Sequence, residues 1–171
     1  RRPHLPDQAI KKTVTMSTNY QSLPSWAYNS EAFFELEKQH LFLGSWQLVC
    51  HLSNIPNNGD YFTFELFNER VMAIRGHDGT VRAFHNVCAH RAARLLDGDS
   101  GNCGKRLTCP YHNWGYDLEG NLTNVPYRDQ FVDFDESQNS LVPVEIEIFQ
   151  GFIFVRLKAA DGPSVADQFA P

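Results

Sequence analysis

The amino-acid sequence predicts an all-β fold with one N-terminal helix, in which antiparallel sheets carry a small loop-built subdomain. Three observations predict it. Short apolar runs with a period of two recur between residues 46 and 157, separated by Gly, Asn and Asp turn signals. One stretch alone, Ser30–Leu43, spaces its apolar residues at the helical interval instead. The chain's tightest grouping of Cys and His, residues 88–112, spans a Gly-rich segment that reads as loops.

At 171 residues the chain is one domain, or one domain with an arm, and is long enough to bury a core. Hydrophobic residues make up 42% and aromatic residues 13%, a globular composition. The net charge of −5, with no basic stripe, argues against nucleic acid as a partner. No apolar run reaches membrane length, and Arg1-Arg2-Pro3 opens no signal peptide, so the expected location is cytoplasmic with no membrane partner.

Residues 1–22 are polar, contain Pro3 and Pro6, and read as an N-terminal arm. In the helix, Ser30 is the expected N-cap, Glu31 favours the first turn and Gly44 ends it. Ala32, Phe33, Leu36, His40 and Leu43 would form one buried stripe, with His40 packed or capping rather than ligating. Strands are expected at Trp46–Leu52, Tyr61–Phe67, Arg70–Arg75 and Thr80–Phe84, with turns at Asn68-Glu69 and His77-Asp78-Gly79. Phe62, Phe64 and Leu66 share one face. Residues 97–104 read as a Gly-rich tip with Cys103 exposed, and Cys50 as a core residue; a Cys50–Cys103 disulfide is the alternative. Leu107-Thr108 enters the next loop, and Tyr116–Leu118 leaves it by the Glu119-Gly120 turn. Residues 123–140 are acidic and read as a solvated loop, with a docking surface for an electron donor as the functional alternative. Val144, Ile146 and Ile148 alternate with Glu145 and Glu147, a half-buried strand; Gly151–Leu157 is more continuously apolar and should be central. Residues 158–171 read as a linker.

Two ligand pairs sit at the centre of this pattern, Cys88-x-His90 and Cys109-x-x-His112, with 18 residues between them. Two cysteines and two histidines on two loops form the ligand set of a Rieske-type [2Fe–2S] centre, in which one iron takes two thiolates and the other two imidazoles. Each pair then serves both irons, so one or two intervening residues suffice. A structural zinc site and a Cys88–Cys109 disulfide are the competing readings.

The flanking residues carry a resemblance. Asn86-Val87-Cys88-Ala89-His90-Arg91, Cys109-Pro110-Tyr111-His112-Asn113-Trp114-Gly115-Tyr116 and Leu118-Glu119-Gly120 resemble the Rieske domain of ring-hydroxylating oxygenase α subunits, over about Leu23 to Pro171. The resemblance implies a Rieske fold over residues 23–157, with a cluster subdomain at about 86–116. It implies Cys88, His90, Cys109 and His112 as ligands, and Arg91, Tyr111 and Trp114 around them. Arg91 and Trp114 would shield the cluster and supply backbone N–H groups to its sulfurs. His112 would be the electron exit.

It further implies a reductase or ferredoxin as donor. The acceptor would be a mononuclear Fe(II) in the catalytic domain of a neighbouring subunit, within a trimer. That iron needs a facial triad. His4, His40, His51, His77 and His85 form no Asp-x-x-His-x-x-x-x-His pattern, so the sequence reads as the N-terminal part of such a subunit, without its catalytic domain. A stand-alone Rieske ferredoxin is the competing function; the 87 residues before Cys88 favour the oxygenase. In the respiratory type of Rieske domain, Cys, Cys and Ser stand where this chain has Ala93, Tyr111 and Trp114. The expected potential is therefore low, on the order of −150 mV.

Overall fold

The computed structural model describes residues 22–158 and 161–169. The arm expected over residues 1–22 lies outside the described residues, apart from Ser22. The chain divides into two compact units, 1–35 and 36–171.

In the first unit a 3₁₀ turn, Ser25–Tyr28, precedes the start of helix α1, Glu31–Glu37. Ser30 caps it as expected, with its Oγ accepting from the Phe33 N–H at 3.3 Å. The Trp26 ring meets the edge of Phe33 at 5.2 Å.

The helix continues past Glu37 as wider π turns over Lys38–Phe42, where the Leu43 N–H reaches back to the Lys38 carbonyl. The expected buried stripe is corrected. Only Leu43 is buried; Phe33 is half-buried, and Ala32, Leu36 and His40 are exposed. Periodicity identifies an apolar face, not whether anything covers it.

Ten strands follow among the described residues: β1 Gln47–His51, β2 Asp60–Leu66, β3 Glu69–Arg75, β4 Val81–His85, β5 Ser100–Asn102, β6 Leu107–Thr108, β7 Gly115–Tyr116, β8 Leu122–Asn124, β9 Pro143–Phe149 and β10 Phe152–Arg156. Seven make an antiparallel sheet in the order β1-β10-β9-β4-β3-β2-β5, and β6-β7-β8 form a small second sheet. The β2–β3 turn is Phe67-Asn68, one residue earlier than expected, because Leu66 pairs with Glu69 and Phe67 takes a left-handed φ of 56°. The Gly-rich tip is not all loop: Ser100–Asn102 pairs with β2 as an edge strand. Cys103 is consequently half-buried rather than exposed, with its thiol donating to the Gly59 carbonyl at 3.3 Å.

β3 explains how the site is anchored. Val71, Met72, Ala73 and Ile74 are all fully buried, so both faces of this strand serve a core. Met72 and Ile74, with Phe84 of β4, share a cluster with Leu107, Trp114, Tyr116, Leu118 and Leu122 around the small sheet, and with Cys88 and Cys109. On the other face Val71 packs with Ala83, Val144 and Val155, and Ala73 with Cys50, Ile55, Val81 and Ile153. Cys50 is a core thiol as expected, pushed up to about 11 by desolvation. Gly120 locks the two sheets: its φ is +92°, and a Cβ there would lie 2.5 Å from the Phe84 ring.

The C-terminal stretch is more than a linker. Ser164 and Asp167 form a capping box around helix α2, Val165–Gln168. So short a helix is unstable alone, but Val165 is fully buried, which contributes roughly 1.5–3 kcal/mol. Its N–H donates to Glu147 at 2.7 Å, the Trp46 indole donates to the Pro163 carbonyl, and Phe169 stacks on Phe149.

Candidate metal centre

The two ligand pairs occupy loops of the same local design. The Cys88 N–H donates to the Ala93 carbonyl, and the Cys88 carbonyl accepts from Ala92. The Cys109 N–H donates to the Trp114 carbonyl, and the Cys109 carbonyl accepts from Asn113. The residue closing each turn is left-handed, Ala92 at φ 53° and Asn113 at φ 58°. Both are therefore six-residue knuckles with a cysteine at the first place. The histidine stands third in one and fourth in the other.

These knuckles bring the four expected ligands together. Cys88 and Cys109 are buried free thiols. The His90 and His112 rings stand 4.7 Å apart. Among the described residues, the Nδ1 atoms of His90 and His112 are the buried side-chain nitrogens or oxygens without a hydrogen-bond partner. A buried, partnerless imidazole nitrogen costs free energy unless something coordinates it. Desolvation, with His112 and Arg91 close by, lowers the His90 pKa and favours the neutral ring that a metal requires. Desolvation raises the Cys88 pKa, so that thiol ionises when metal takes the proton's place. These donors fit a two-iron, two-sulfide cluster. The Cys88–Cys109 disulfide reading falls, since both are free thiols. No three His, Cys, Asp or Glu side chains among the described residues converge on one ion position, which tells against a four-ligand zinc site.

Neighbouring side chains hold the knuckles. Asn86, 2% exposed, closes the first loop: its Oδ1 accepts from the Leu95 and Leu96 N–H groups and its Nδ2 donates to the Leu96 carbonyl. Arg94 ties that loop to Glu65 of β2 at 3.2 Å. The Tyr116 hydroxyl accepts from the Ala89 N–H at 3.1 Å and lies 3.3 Å from Cys88 Sγ. Burial raises the Tyr116 pKa, so the hydroxyl keeps its proton and can donate it toward a thiolate. Trp114 stacks flat on His90, with centroids 4.6 Å apart and planes 9° apart. Tyr111 leans on His112 at 4.0 Å, and the exposed Arg91 guanidinium sits 5.9 Å above Tyr111. Arg91 thus covers Tyr111, the ring that lies against His112.

The expectation of a solvated loop over residues 123–140 is corrected in part. Phe131 and Phe134 turn inward onto Trp114, at 6.1 and 5.4 Å, and Phe131 also meets His90 at 6.4 Å. Phe131, with Trp114, Pro126, Tyr127 and Gln130, walls a cleft of about 310 Å³ in front of His90, His112 and Asn113. Asn86 and Tyr116 entered the sequence reading only within the motifs that carry the resemblance, with no role of their own, and Phe131 and Phe134 were not singled out. The Asn before a Cys-x-His pair was the one available signal.

A family model described as "Rieske [2Fe-2S] domain" matches residues 45–146. The chain belongs to the Rieske [2Fe-2S] domain family. Its relatives include the carnitine monooxygenase oxygenase subunit of Escherichia coli (strain K12), 39% identical over 147 residues, which are 86% of this chain and 39% of the relative. The glycine betaine monooxygenase oxygenase subunit of Chromohalobacter salexigens is 40% identical over 86% of this chain and 32% of its own length. The benzene 1,2-dioxygenase subunit alpha of Pseudomonas putida is 38% identical over 74% of this chain and 28% of its own. Among solved structures, the quaternary ammonium Rieske monooxygenase CntA in complex with L-carnitine superposes with a TM-score of 0.81 at 37% identity. That match covers 86% of this chain and 42% of CntA. Naphthalene 1,2-dioxygenase with indole bound superposes at 0.75 with 33% identity, covering 82% of this chain and 32% of that one. This Rieske chain therefore spans about two fifths or less of the length of these oxygenase subunits. Among its described residues no helix is long and apolar enough to cross a membrane.

Proposed function

We propose that this chain is the electron-relay domain of an oxygenase subunit, holding a [2Fe–2S] cluster through Cys88, His90, Cys109 and His112. The observation that carries this reading is the pair of buried, partnerless Nδ1 atoms on His90 and His112 beside two buried thiols. When bound, the cluster supplies a one-electron couple.

The chain's own residues do the rest. Cys88 and Cys109 would hold one iron as thiolates, and His90 and His112 the other through Nδ1. That leaves the ring proton of each histidine on Nε2. Both rings line the cleft, so the Nε2 edges are the ones a partner can reach. Tyr116 donates toward Cys88, while Trp114 and Tyr111 cover the faces of the two rings. We assign electron exit to His112, because its cover, Tyr111, is itself 61% exposed. A reductase or ferredoxin would load the domain. The acceptor would be a mononuclear iron in the catalytic domain of a neighbouring subunit, in a trimeric, cytoplasmic enzyme. The carnitine and glycine betaine relatives match more of this chain than the benzene dioxygenase subunit does, which favours a quaternary ammonium substrate.

The test is an anaerobic reductive titration of the cluster-loaded chain, followed by an oxygen assay with carnitine and reductase. We expect one electron taken up per chain and no turnover by residues 1–171 alone. Turnover by this chain alone would overturn the proposed division of labour.

A further inference from the structure

Residues 127–136 belong to no sheet, yet they carry two rings that pack on Trp114 beside His90. Their backbone is strained, with Tyr127 at φ 55° and Asp133 at φ 52°. One side chain gathers them. The Arg128 guanidinium donates to the Phe131 carbonyl at 3.1 Å, the Phe134 carbonyl at 2.6 Å and the Glu136 carboxylate at 3.1 Å. Its Cζ also lies 4.9 Å over the Phe134 ring. The planar fork supplies the donors that a neighbouring strand would otherwise provide.

We propose that Arg128 is the positioning residue of an aromatic lid, Phe131 with Phe134, that limits water at the Trp114-covered flank of His90; this rests on the ligand assignment above. Phe131 and Phe134 contact each other at 5.3 Å and both contact Trp114, which stacks on His90. On the His112 side Tyr111, itself exposed, lies against the ring. A latched lid therefore packs one flank of His90 tightly, while the Nε2 edges of both rings still open on the cleft. The surroundings of such a centre set its dielectric and hence its potential. The oxidised cluster with two thiolates is formally neutral and the reduced one carries −1. Water admitted by an open lid stabilises the charged, reduced form and raises the potential.

The test uses the cluster-loaded chain with Arg128→Lys, which keeps the charge but loses the fork, and Phe131→Leu, which keeps the latch but loses the ring facing His90. Arg82→Lys, remote from the centre, is the control. Three quantities are measured: hydrogen exchange of the amides of residues 127–136, the reduction potential, and iron release to an external chelator. For Arg128→Lys we expect exchange and iron release to rise about tenfold, from the loss of charge-assisted hydrogen bonds. The potential should rise with an unchanged urea midpoint. Phe131→Leu should raise the potential with little change in exchange. If both variants hold the wild-type potential, or iron release simply follows global unfolding, the lid is refuted while the ligand assignment stands. A wild-type chain that assembles no [2Fe–2S] cluster refutes both.

Discussion

The two ligand loops share a backbone and differ in their surroundings. Each is a knuckle closed by the same pair of hydrogen bonds and a left-handed residue. The first loop is embedded: Asn86 struts it, Arg94 ties it to Glu65, Tyr116 reaches Cys88, and Trp114 and Phe131 flank His90. The second is held by the short strands β6 and β7 and by Asn124, whose Nδ2 donates to the Asn113 carbonyl at 3.0 Å. Its histidine lies under a mostly exposed tyrosine. Ligand placement thus resides in the backbone, which both loops have in common. Access resides in the side chains, which differ.

The largest effect should come from breaking the shared part. Cys88→Ser and Cys109→Ser should each abolish the cluster, and to the same degree, because each knuckle contributes one thiolate. Iron and acid-labile sulfide content of the purified variants checks this. Full retention by either variant would remove that cysteine from the ligand set.

Loosening one loop only should cost less. Asn86→Ala leaves the buried Leu95 and half-buried Leu96 N–H groups unpaired and should destabilise the chain by about 2–3 kcal/mol in urea unfolding. Asn124→Ala, losing one exposed bond in the second loop, should cost less than about 1 kcal/mol. Equal costs would mean that the two loops are supported alike.

The smallest effect is electronic. Tyr116→Phe removes the hydroxyl beside Cys88 Sγ. A donor to a thiolate favours the more negative, reduced state, so its loss should lower the potential. About 1 kcal/mol of difference between the two redox states corresponds to a shift on the order of 50 mV for one electron. Voltammetry showing a rise would contradict the assigned effect of that bond on the reduced state.

The sequence made the site legible to the extent that local chemistry defines it. The ligand pairs, the strands from β1 to β4 and the Ser30 cap all rest on short-range signals. The supports did not share that property. Tyr116 lies 28 residues from Cys88, and Arg94 lies 29 residues from Glu65. Phe131 and Phe134 sat in an acidic stretch, where charge outweighed two aromatic residues in the reading. β5 escaped because its residues, Ser, Gly and Asn, have low strand propensity and are held only by pairing with β2. Val165 looked like part of a linker, since a four-residue helix shows no periodicity until its docking partner is known.

The central claim is that two histidines, each through Nδ1, hold one iron of the pair. Electron spin-echo measurements on the reduced chain test it most directly, with histidine labelled by ¹⁵N at Nδ1 alone. The account predicts two labelled nitrogens strongly coupled to the unpaired spin, one lost in His90→Cys and one in His112→Cys wherever a cluster persists. A spectrum with no strong coupling to Nδ1, from a reduced chain containing two irons and two sulfides, would contradict it.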